Sequence, residues 1–355
     1  MTSIQSTTSA VKPMLKGITA GQLLAQKFPP REFVIAPWLR TGESALIWAP
    51  TGVGKTWLTL SLSMAIAGGG RVWEWKAPKP RKVLIIDGEM NVQDLQERMA
   101  FLSKSRGVDG LDSRKLGSNL LFMPRQYQNP RSEFFDITNP ASQEHILTHL
   151  EKAEAEVIVI DNLTTCADSL EDENAAAAFR PVMSFLMKMK QAGKTAIVVH
   201  HANKAGTDAR GSTALEATFE VKLGLQRPAV SKTGSASFVT EFGKFRAKGG
   251  DSLSPRIWSL GEGGWTVEED AESATSKVID AVRSLKYVNQ NELAEALGMS
   301  QSTVSRTLKR AVALGQPRQE ELDRLFIQAR ELRASEKTGF AEDFGDTGDE
   351  AEEDF

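Results

Sequence analysis

Five short aliphatic runs alternate with longer amphipathic segments over the first two hundred residues. The runs are SALIWAP at 44–50, KVLIIDGE at 82–89, NLLFMP at 119–124, EVIVIDN at 156–162 and TAIVVHH at 195–201. Near-continuous Val, Ile and Leu is typical of strands that are buried on both faces of a parallel sheet. Helical patterns separate the runs, at 56–67, 91–104, 142–155 and 175–191. Strands that alternate with helices predict a three-layer α/β domain.

The pattern changes near residue 206, where alternating segments replace the aliphatic runs. The segments are FEVKLGLQR at 219–227, SASFVTEFGKFRAKG at 235–249 and RIWSL to GWTVEE at 256–269. Alternation with glycine-bearing turns predicts antiparallel strands. A helical pattern follows from about 274 to 315, with Gly298 placed to end one helix and Ser300 placed to begin the next.

These changes divide the chain into four parts. An N-terminal segment covers 1–29 and an α/β domain covers 30–270. A helical unit covers 274–318, and a charged helix with an acidic, disordered tail covers 319–355. The predicted fold class is α/β, with a three-layer core, a mainly parallel sheet, antiparallel strands after it and a small helical unit.

Composition narrows the class of protein. The 355 residues are 41% hydrophobic and 25% charged, which excludes disorder of the whole chain. Cys166 is the only cysteine, so an intrachain disulfide and a cysteine-based zinc site are excluded, as suits a reducing cytosol. No apolar run approaches the roughly 18 residues of a membrane helix, and no signal core follows the first lysine. We therefore expect a cytoplasmic protein with no membrane partner.

Charge is distributed unevenly along the chain. The net charge is −3, yet the last fifteen residues hold eight acids and no Lys or Arg, which leaves the remainder at +5. A basic body with an acidic tail is compatible with a polyanionic partner, although solvated faces carry charge in every protein.

The strongest local signal is APTGVGKT at 49–56, between an aliphatic run and a helical pattern. It matches the phosphate-loop pattern G-x-x-x-x-G-K-[ST], with an alanine in place of the first glycine. Gly52 and Gly54 allow backbone N–H groups to turn inward around phosphates. Lys55 is expected at the β- and γ-phosphates and Thr56 at Mg²⁺, so the predicted cofactors are ATP and Mg²⁺. The candidate nucleotide-binding residues are Ala49, Pro50, Thr51, Gly52, Val53, Gly54, Lys55 and Thr56.

Carboxylates follow two further aliphatic runs. The run EVIVID ends in Asp161, which is placed to hold Mg²⁺; the alternative is an Asp that caps the next turn. The run KVLIIDGE ends in Asp87 and Glu89. We choose Glu89 as the residue that activates the attacking water, because it lies just past the strand, and Asp87 as the one that orients the loop.

Two histidines end the run TAIVVHH. Neighbours on a strand point in opposite directions, so one of His200 and His201 faces the nucleotide and the other faces the packing. The sequence leaves open which of them does so, and His200 stands as the candidate. The candidate catalytic residues in these runs are thus Lys55, Glu89, Asp161 and His200.

This arrangement resembles the RecA-like ATPases, and within them the plasmid RepA-type and DnaB-type replicative helicases, which form rings. The resemblance covers about residues 30–250. It rests on the phosphate loop, Glu89, Asp161 and the polar end of the run TAIVVHH. It implies a RecA-like P-loop core and a homo-oligomer, expected to be a hexameric ring. It also implies translocation on single-stranded DNA during plasmid or phage replication.

Two further segments acquire a role through the resemblance. The loop at 200–217 would face the channel of the ring, where Lys204 and Arg210 contact DNA phosphates; the alternative is an ordinary surface loop. Lys244 and Arg246 lie two apart in FGKFRAKG and would reach the γ-phosphate held by the neighbouring subunit. The alternative for this pair is a solvated basic strand edge.

The C-terminal helical unit has a helix-turn-helix pattern similar to that of bacterial winged-helix DNA readers. Ser302, Arg306 and Lys309 would face a DNA groove or its phosphates. A wing is not evident, because GQPRQEELDRLF continues into a helical pattern, so a protein-binding role stays open. The tail ends in EEDF, which either docks on a primase, polymerase or other replication protein or only adds solubility.

Two other functions remain open at this level. One is an ATP-switched DNA-binding regulator or partition-type protein whose helix-turn-helix provides specificity. The other is a recombinase-like protein that forms filaments rather than rings.

Overall fold

The computed structural model describes residues 15–168, 178–203, 209, 218–228, 234–244, 253, 255–313 and 317–343. For 271–276, 310, 313 and 336–343 it describes the backbone alone. The chain divides into two units, Met1–Glu32 and Phe33–Phe355. In the first unit, α1 (Ala20–Ala25) is a short helix with a capping box between Thr19 and Gln22, and none of its residues is buried.

The strands of the second unit build a large sheet and two small ones. They are β1 (Phe33–Ile35), β2 (Leu39–Arg40), β3 (Ser44–Ala49), β4 (Arg71–Val72), β5 (Trp75–Lys76), β6 (Val83–Asp87), β7 (Val108–Asp109), β8 (Leu120–Pro124), β9 (Val157–Asp161), β10 (Thr195–His201), β11 (Val221–Gln226), β12 (Ala236–Lys244), β13 (Arg256–Gly261) and β14 (Gly264–Glu269). Within the described residues, the large sheet has nine strands in the order β14-β13-β12-β11-β3-β10-β9-β6-β8. Six neighbouring strands of this sheet are parallel: β11, β3, β10, β9, β6 and β8. Next to β11, the strands β12, β13 and β14 continue the sheet, each antiparallel to the strand before it.

Helices cover both faces of this sheet and complete three layers. They are α2 (Lys55–Gly68), α3 (Val92–Leu102), α4 (Ser113–Asn119), α5 (Pro140–Lys152) and α6 (Arg180–Gln191). Alternate residues of β3 belong to opposite cores: Ile47 packs in the cluster that contains Leu58 of α2, and Leu46 packs in the cluster that contains Phe185 of α6. β3, β6 and β9 are buried at every residue, which explains their continuous aliphatic sequences. Among the described helices, none has both the length and the apolar composition needed to cross a bilayer.

The structure confirms the α/β class and the five strands predicted from the aliphatic runs. One prediction was wrong in direction: β11 lies parallel to β3 and is antiparallel only to β12. The alternating pattern of β11 reflects the place of this strand in the sheet, where it joins the parallel half to the antiparallel half. The pattern does not indicate in which direction the strand runs. The helix predicted at 175–191 is described as α6 from Arg180, and residues 175–177 lie outside the described part of the chain.

The C-terminal helices have a core of their own. They are α7 (Ala271–Arg283), α8 (Gln290–Leu297), α9 (Gln301–Ala313) and α10 (Gln319–Asp343). Leu293 and Leu308 pack with Leu322 of α10, so the charged helix contributes to this core and continues where a wing would stand. As predicted, Gly298 ends α8 in the left-handed region at φ 63°, and the Ser300 side chain accepts a hydrogen bond from the Thr303 N–H at 3.2 Å.

Candidate active site

The phosphate loop connects β3 to α2 in a conformation that requires glycine. Gly52 has φ 82° and Gly54 has φ 113°, both in the region that other residues avoid. A Cβ atom on Gly54 would lie 2.2 Å from the Cβ of Ala236 in β12. The neighbouring Ser237 N–H donates to the Val53 carbonyl at 3.2 Å. The antiparallel part of the sheet therefore supports the loop from the side.

Lys55 is the first residue of α2 and is 8% exposed. Its Nζ donates to the Ala49 carbonyl at 3.2 Å and lies 2.9 Å from Nδ1 of His201. Burial lowers the pKa of this ammonium, while the charges of Asp161 and Glu89 oppose that effect. An ammonium group can only donate, so Nδ1 of His201 is the acceptor in this contact when Lys55 is charged.

Asp161 and Thr56 meet beside the loop. The Thr56 hydroxyl hydrogen-bonds the Asp161 carboxyl group, which is 5% exposed. Burial, followed by repulsion from the nearby Asp87, raises the pKa of Asp161 to about 7. A hydroxyl and a carboxylate are the oxygen ligands that Mg²⁺ takes in phosphate-binding enzymes, and a cation would offset the burial of this carboxylate. These residues therefore fit Mg²⁺, and the glycine loop with Lys55 fits the phosphates of ATP.

Glu89 is held in place from two strand ends. The carboxylate of Asp87, whose pKa is raised mainly by burial, accepts hydrogen bonds from the N–H groups of Glu89 at 3.0 Å and Met90 at 2.7 Å. This contact agrees with the expectation that Asp87 orients the loop. On the other side, the amide of Asn162 donates to Oε2 of Glu89. The Gly88 N–H donates to the Asp161 carbonyl at 2.8 Å, which ties the ends of β6 and β9 together.

The structure places His201, not His200, against Lys55. His200 is 1% exposed and lies opposite Trp48 in the β10–β3 register, whereas His201 lies opposite Ala49 at the start of the phosphate loop. Of the two candidates, His201 is thus the one beside the phosphate loop, and a role for either histidine at the nucleotide stays a prediction. The two-residue period of the strand sends the two rings to opposite faces.

Sequence reasoning missed three residues of this region, Asn162, Thr165 and Arg227. Asn162 is fully buried and joins Glu89 to Thr165, whose N–H donates to the Asn162 side-chain oxygen at 3.1 Å. Its position directly after Asp161 in EVIVIDN was the available signal. Arg227 follows β11 and donates to the Thr51 carbonyl at 3.1 Å. Nothing in the local pattern of FEVKLGLQR indicated that contact, because 176 residues separate the two partners.

The remaining predicted residues lie elsewhere or outside the described part of the chain. Lys244 ends β12 and pairs in register with Lys222. Arg246, Lys204 and Arg210 fall outside the described residues. Three exposed residues of α9 lie four and three positions apart along the helix, so they share one face. They are Ser302, Arg306 and Lys309.

The arrangement can support nucleotide chemistry with groups that the chain itself supplies. Lys55 and the loop amides can bind phosphate oxygens, and Thr56 with Asp161 can hold the metal ion. Bound Mg²⁺ would neutralise charge on the β- and γ-phosphates. Glu89 lies at the same strand ends and can accept a proton from a water molecule.

The comparison with protein families agrees with this geometry. The family described as "AAA domain" matches residues 8–207, which is more than half of the chain. Among solved structures, a KaiC-like protein from the hyperthermophilic archaeon Pyrococcus horikoshii OT3 is similar, at 19% identity and a TM-score of 0.46, over 66% of this chain and 93% of that one. A search of curated proteins finds no match. The chain therefore belongs to the AAA domain family and is a P-loop ATPase with an α/β core.

Proposed function

We propose that this ATPase is a Mg²⁺-dependent, ring-forming DNA motor, and specifically a replicative helicase that translocates on single-stranded DNA in plasmid or phage replication. The observation that carries the hydrolytic part is the meeting of Lys55, Thr56, Asp161 and Glu89 at one edge of the sheet. Lys55 binds the β- and γ-phosphates, Asp161 with Thr56 holds the metal, and Glu89 activates water. His201 contacts Lys55, and this contact supports a role for His201 in responding to the γ-phosphate.

The position of Lys244 supports an assembly in which subunits share active sites. β12 begins beside the phosphate loop, at Ala236, and runs nine residues to Lys244. At about 3.3 Å per residue, the far end of the strand lies roughly 26 Å from this chain's own loop. Lys244 is therefore too distant to serve the loop of its own subunit, and a role at a phosphate requires a neighbouring subunit.

Hydrolysis is tested by Lys55→Ala in the full-length protein. We expect ATP hydrolysis to fall at least about 100-fold, because the variant loses the charge that binds the phosphates. Lys104→Ala removes an exposed lysine from the same domain and serves as the control. Unchanged hydrolysis in Lys55→Ala would refute the site.

The motor function is tested separately from hydrolysis, with DNA. Single-stranded DNA should stimulate hydrolysis, and the protein should displace a strand from a forked duplex while it consumes ATP. Stimulated hydrolysis without strand displacement would reduce the proposal to a translocase or loader.

The tail is proposed to dock on a primase, polymerase or other replication protein. Truncation after Asp343 should then abolish that contact and leave hydrolysis intact.

A second candidate is an ATP-switched DNA-binding regulator, which the helical unit favours. Ser302, Arg306 and Lys309 are exposed on one face of α9, the geometry with which a recognition helix meets a DNA groove. The double variant Arg306→Ala/Lys309→Ala separates the two functions. A regulator should lose its DNA binding, whereas the motor should keep single-strand binding through the loop at 200–217. Lys277→Ala/Arg283→Ala removes the same charge from α7 and serves as the control.

A further inference from the structure

A cavity of about 710 Å³ lies between the loop that follows β8 and one face of α5. This volume is within the usual range of ligand sites. Three carboxylates line it, those of Glu133, Asp136 and Asp168, together with one arginine, Arg125, and two histidines, His145 and His149. The surplus of acidic groups favours a cationic occupant over an anionic one.

The wall of this cavity already binds a guanidinium group. Arg125 donates to the Asp168 carboxylate and to the Thr165 carbonyl, both at 3.2 Å. Its guanidinium also lies over the ring of Phe134, 5.4 Å from the centroid. A carboxylate together with an aromatic face is a favourable environment for a cation.

Arg125 is connected to Glu89 by a short series of hydrogen bonds. Thr165, whose carbonyl Arg125 holds, donates its N–H to the Asn162 side chain at 3.1 Å and its hydroxyl to the Asn162 carbonyl at 3.2 Å. The Asn162 amide then donates to Glu89. A change at the cavity wall can therefore reach the carboxylate that activates water.

We propose that this cavity is a regulatory site for an arginine or lysine side chain of a protein partner, and that its occupancy acts on Glu89 through Arg125. The incoming cation competes with Arg125 for Asp168, and Arg125 then releases the Thr165 carbonyl. Asn162 and Glu89 lose their fixed orientation, so hydrolysis slows while nucleotide binding is retained. This inference rests on the proposed role of Glu89, and it makes Arg125 a positioning residue.

The connection is tested in the full-length protein with Arg125→Ala. We expect kcat for ATP to fall roughly 2- to 30-fold, the range seen for residues that couple sites, with KM nearly unchanged. Arg125→Lys keeps the charge and should restore part of the loss. Arg131→Ala, an exposed arginine in the same loop, is the control and should behave as wild type. A wild-type kcat in Arg125→Ala, or a rise in KM that accounts for the whole effect, would overturn the connection.

The occupant is tested with two probes, an acetylated Gly-Arg-Gly amide and its Gly-Glu-Gly counterpart. The arginine peptide should lower wild-type kcat in a saturable way, and the glutamate peptide should not. Glu133→Gln removes a cavity charge outside the connection to Glu89, so its basal rate should equal wild type and its inhibition should need more peptide. Equal inhibition of both proteins, or none of either, would overturn the regulatory site. If wild-type protein hydrolyses no ATP at all, the proposed function itself fails instead.

Discussion

Burial determines the ionisation of single residues around the phosphate loop. The pKa values of Asp161 and Asp87 are raised by burial, and that of Lys55 is lowered by it. Each charged form is therefore less stable in the folded protein than in water. A metal ion and a phosphate group supply the opposite charges, so ligand binding should stabilise the fold as well as start the chemistry.

Replacing Asp161 separates these two effects. We expect Asp161→Asn to abolish Mg²⁺-dependent hydrolysis yet to stabilise the nucleotide-free protein, by up to about 4 kcal/mol at about pH 8. The pKa of folded Asp161 is about 7 against an ordinary value of 3.8. The stability that the protonated form contributes is thus lost as the pH rises through about 7.

The extra stability of Asp161→Asn over the wild-type protein should accordingly shrink as the pH is lowered from about 7 to about 4. Urea denaturation of both proteins over this range measures it. Glu97→Gln, at an exposed position of α3, is the control and should show no such trend. A destabilised Asp161→Asn at about pH 8 would contradict this account of the site.

Glycine at position 54 is required by conformation and by space. Gly54→Ala places a Cβ where φ is 113° and where Ala236 is 2.2 Å away. We expect a loss of at least about 1–2 kcal/mol of stability, with weaker ATP binding, because the loop must shift. Gly117→Ala is the matched control: a Cβ added there in α4 would meet no atom within 4 Å outside the helix's own backbone, and alanine should stabilise the helix slightly. Thermal unfolding and nucleotide titration measure both variants.

At the scale of the element, the alternation of β10 gives two neighbouring histidines different functions. We expect His201→Ala to reduce hydrolysis about tenfold with little change in stability, because it removes the acceptor beside Lys55. His200→Ala should lower the free energy of unfolding by about 2 kcal/mol, because that ring is 1% exposed. Each variant controls for the other in parallel ATPase and urea assays. The reverse pattern would return the role to His200.

Direction is the property of an element that the pattern did not reveal. The continuous runs of β3 and β9 predicted their strands correctly, because a strand covered on both faces must be apolar throughout. The alternation in β11 predicted a strand but not its partners. Whether β11 runs parallel to β3 depends on the crossover that precedes it, which a period of two residues does not encode.

At the scale of the whole molecule, the site is proposed to be completed by a second subunit. The variants Lys55→Ala and Arg246→Ala should each be inactive, since one lacks the phosphate lysine and the other the arginine supplied to its neighbour. Mixing them should restore part of the wild-type hydrolysis, because an Arg246→Ala subunit can then receive the arginine of a Lys55→Ala neighbour. The mixture is measured at subunit concentrations that allow exchange.

The control for this mixture is the double variant Lys55→Ala/Arg246→Ala combined with Arg246→Ala. No subunit in it carries the arginine, so no activity should return. Recovery in both mixtures, or in neither, would argue against a shared site. Gel filtration with light scattering, with and without an ATP analogue and an oligonucleotide, reports whether the protein assembles at all.

The sequence by itself determined the phosphate loop, the carboxylates at the strand ends and the α/β class. These features are local. The groups that bind phosphate lie within eight consecutive residues, and each strand that is buried on both faces has an apolar sequence. Only the tertiary structure decided that His201 meets Lys55 across 146 residues and that Asn162 holds Glu89 across 73. Such contacts depend on the order of strands in the sheet, which short-range patterns leave open because they specify which side chains are buried but not which strand lies beside which.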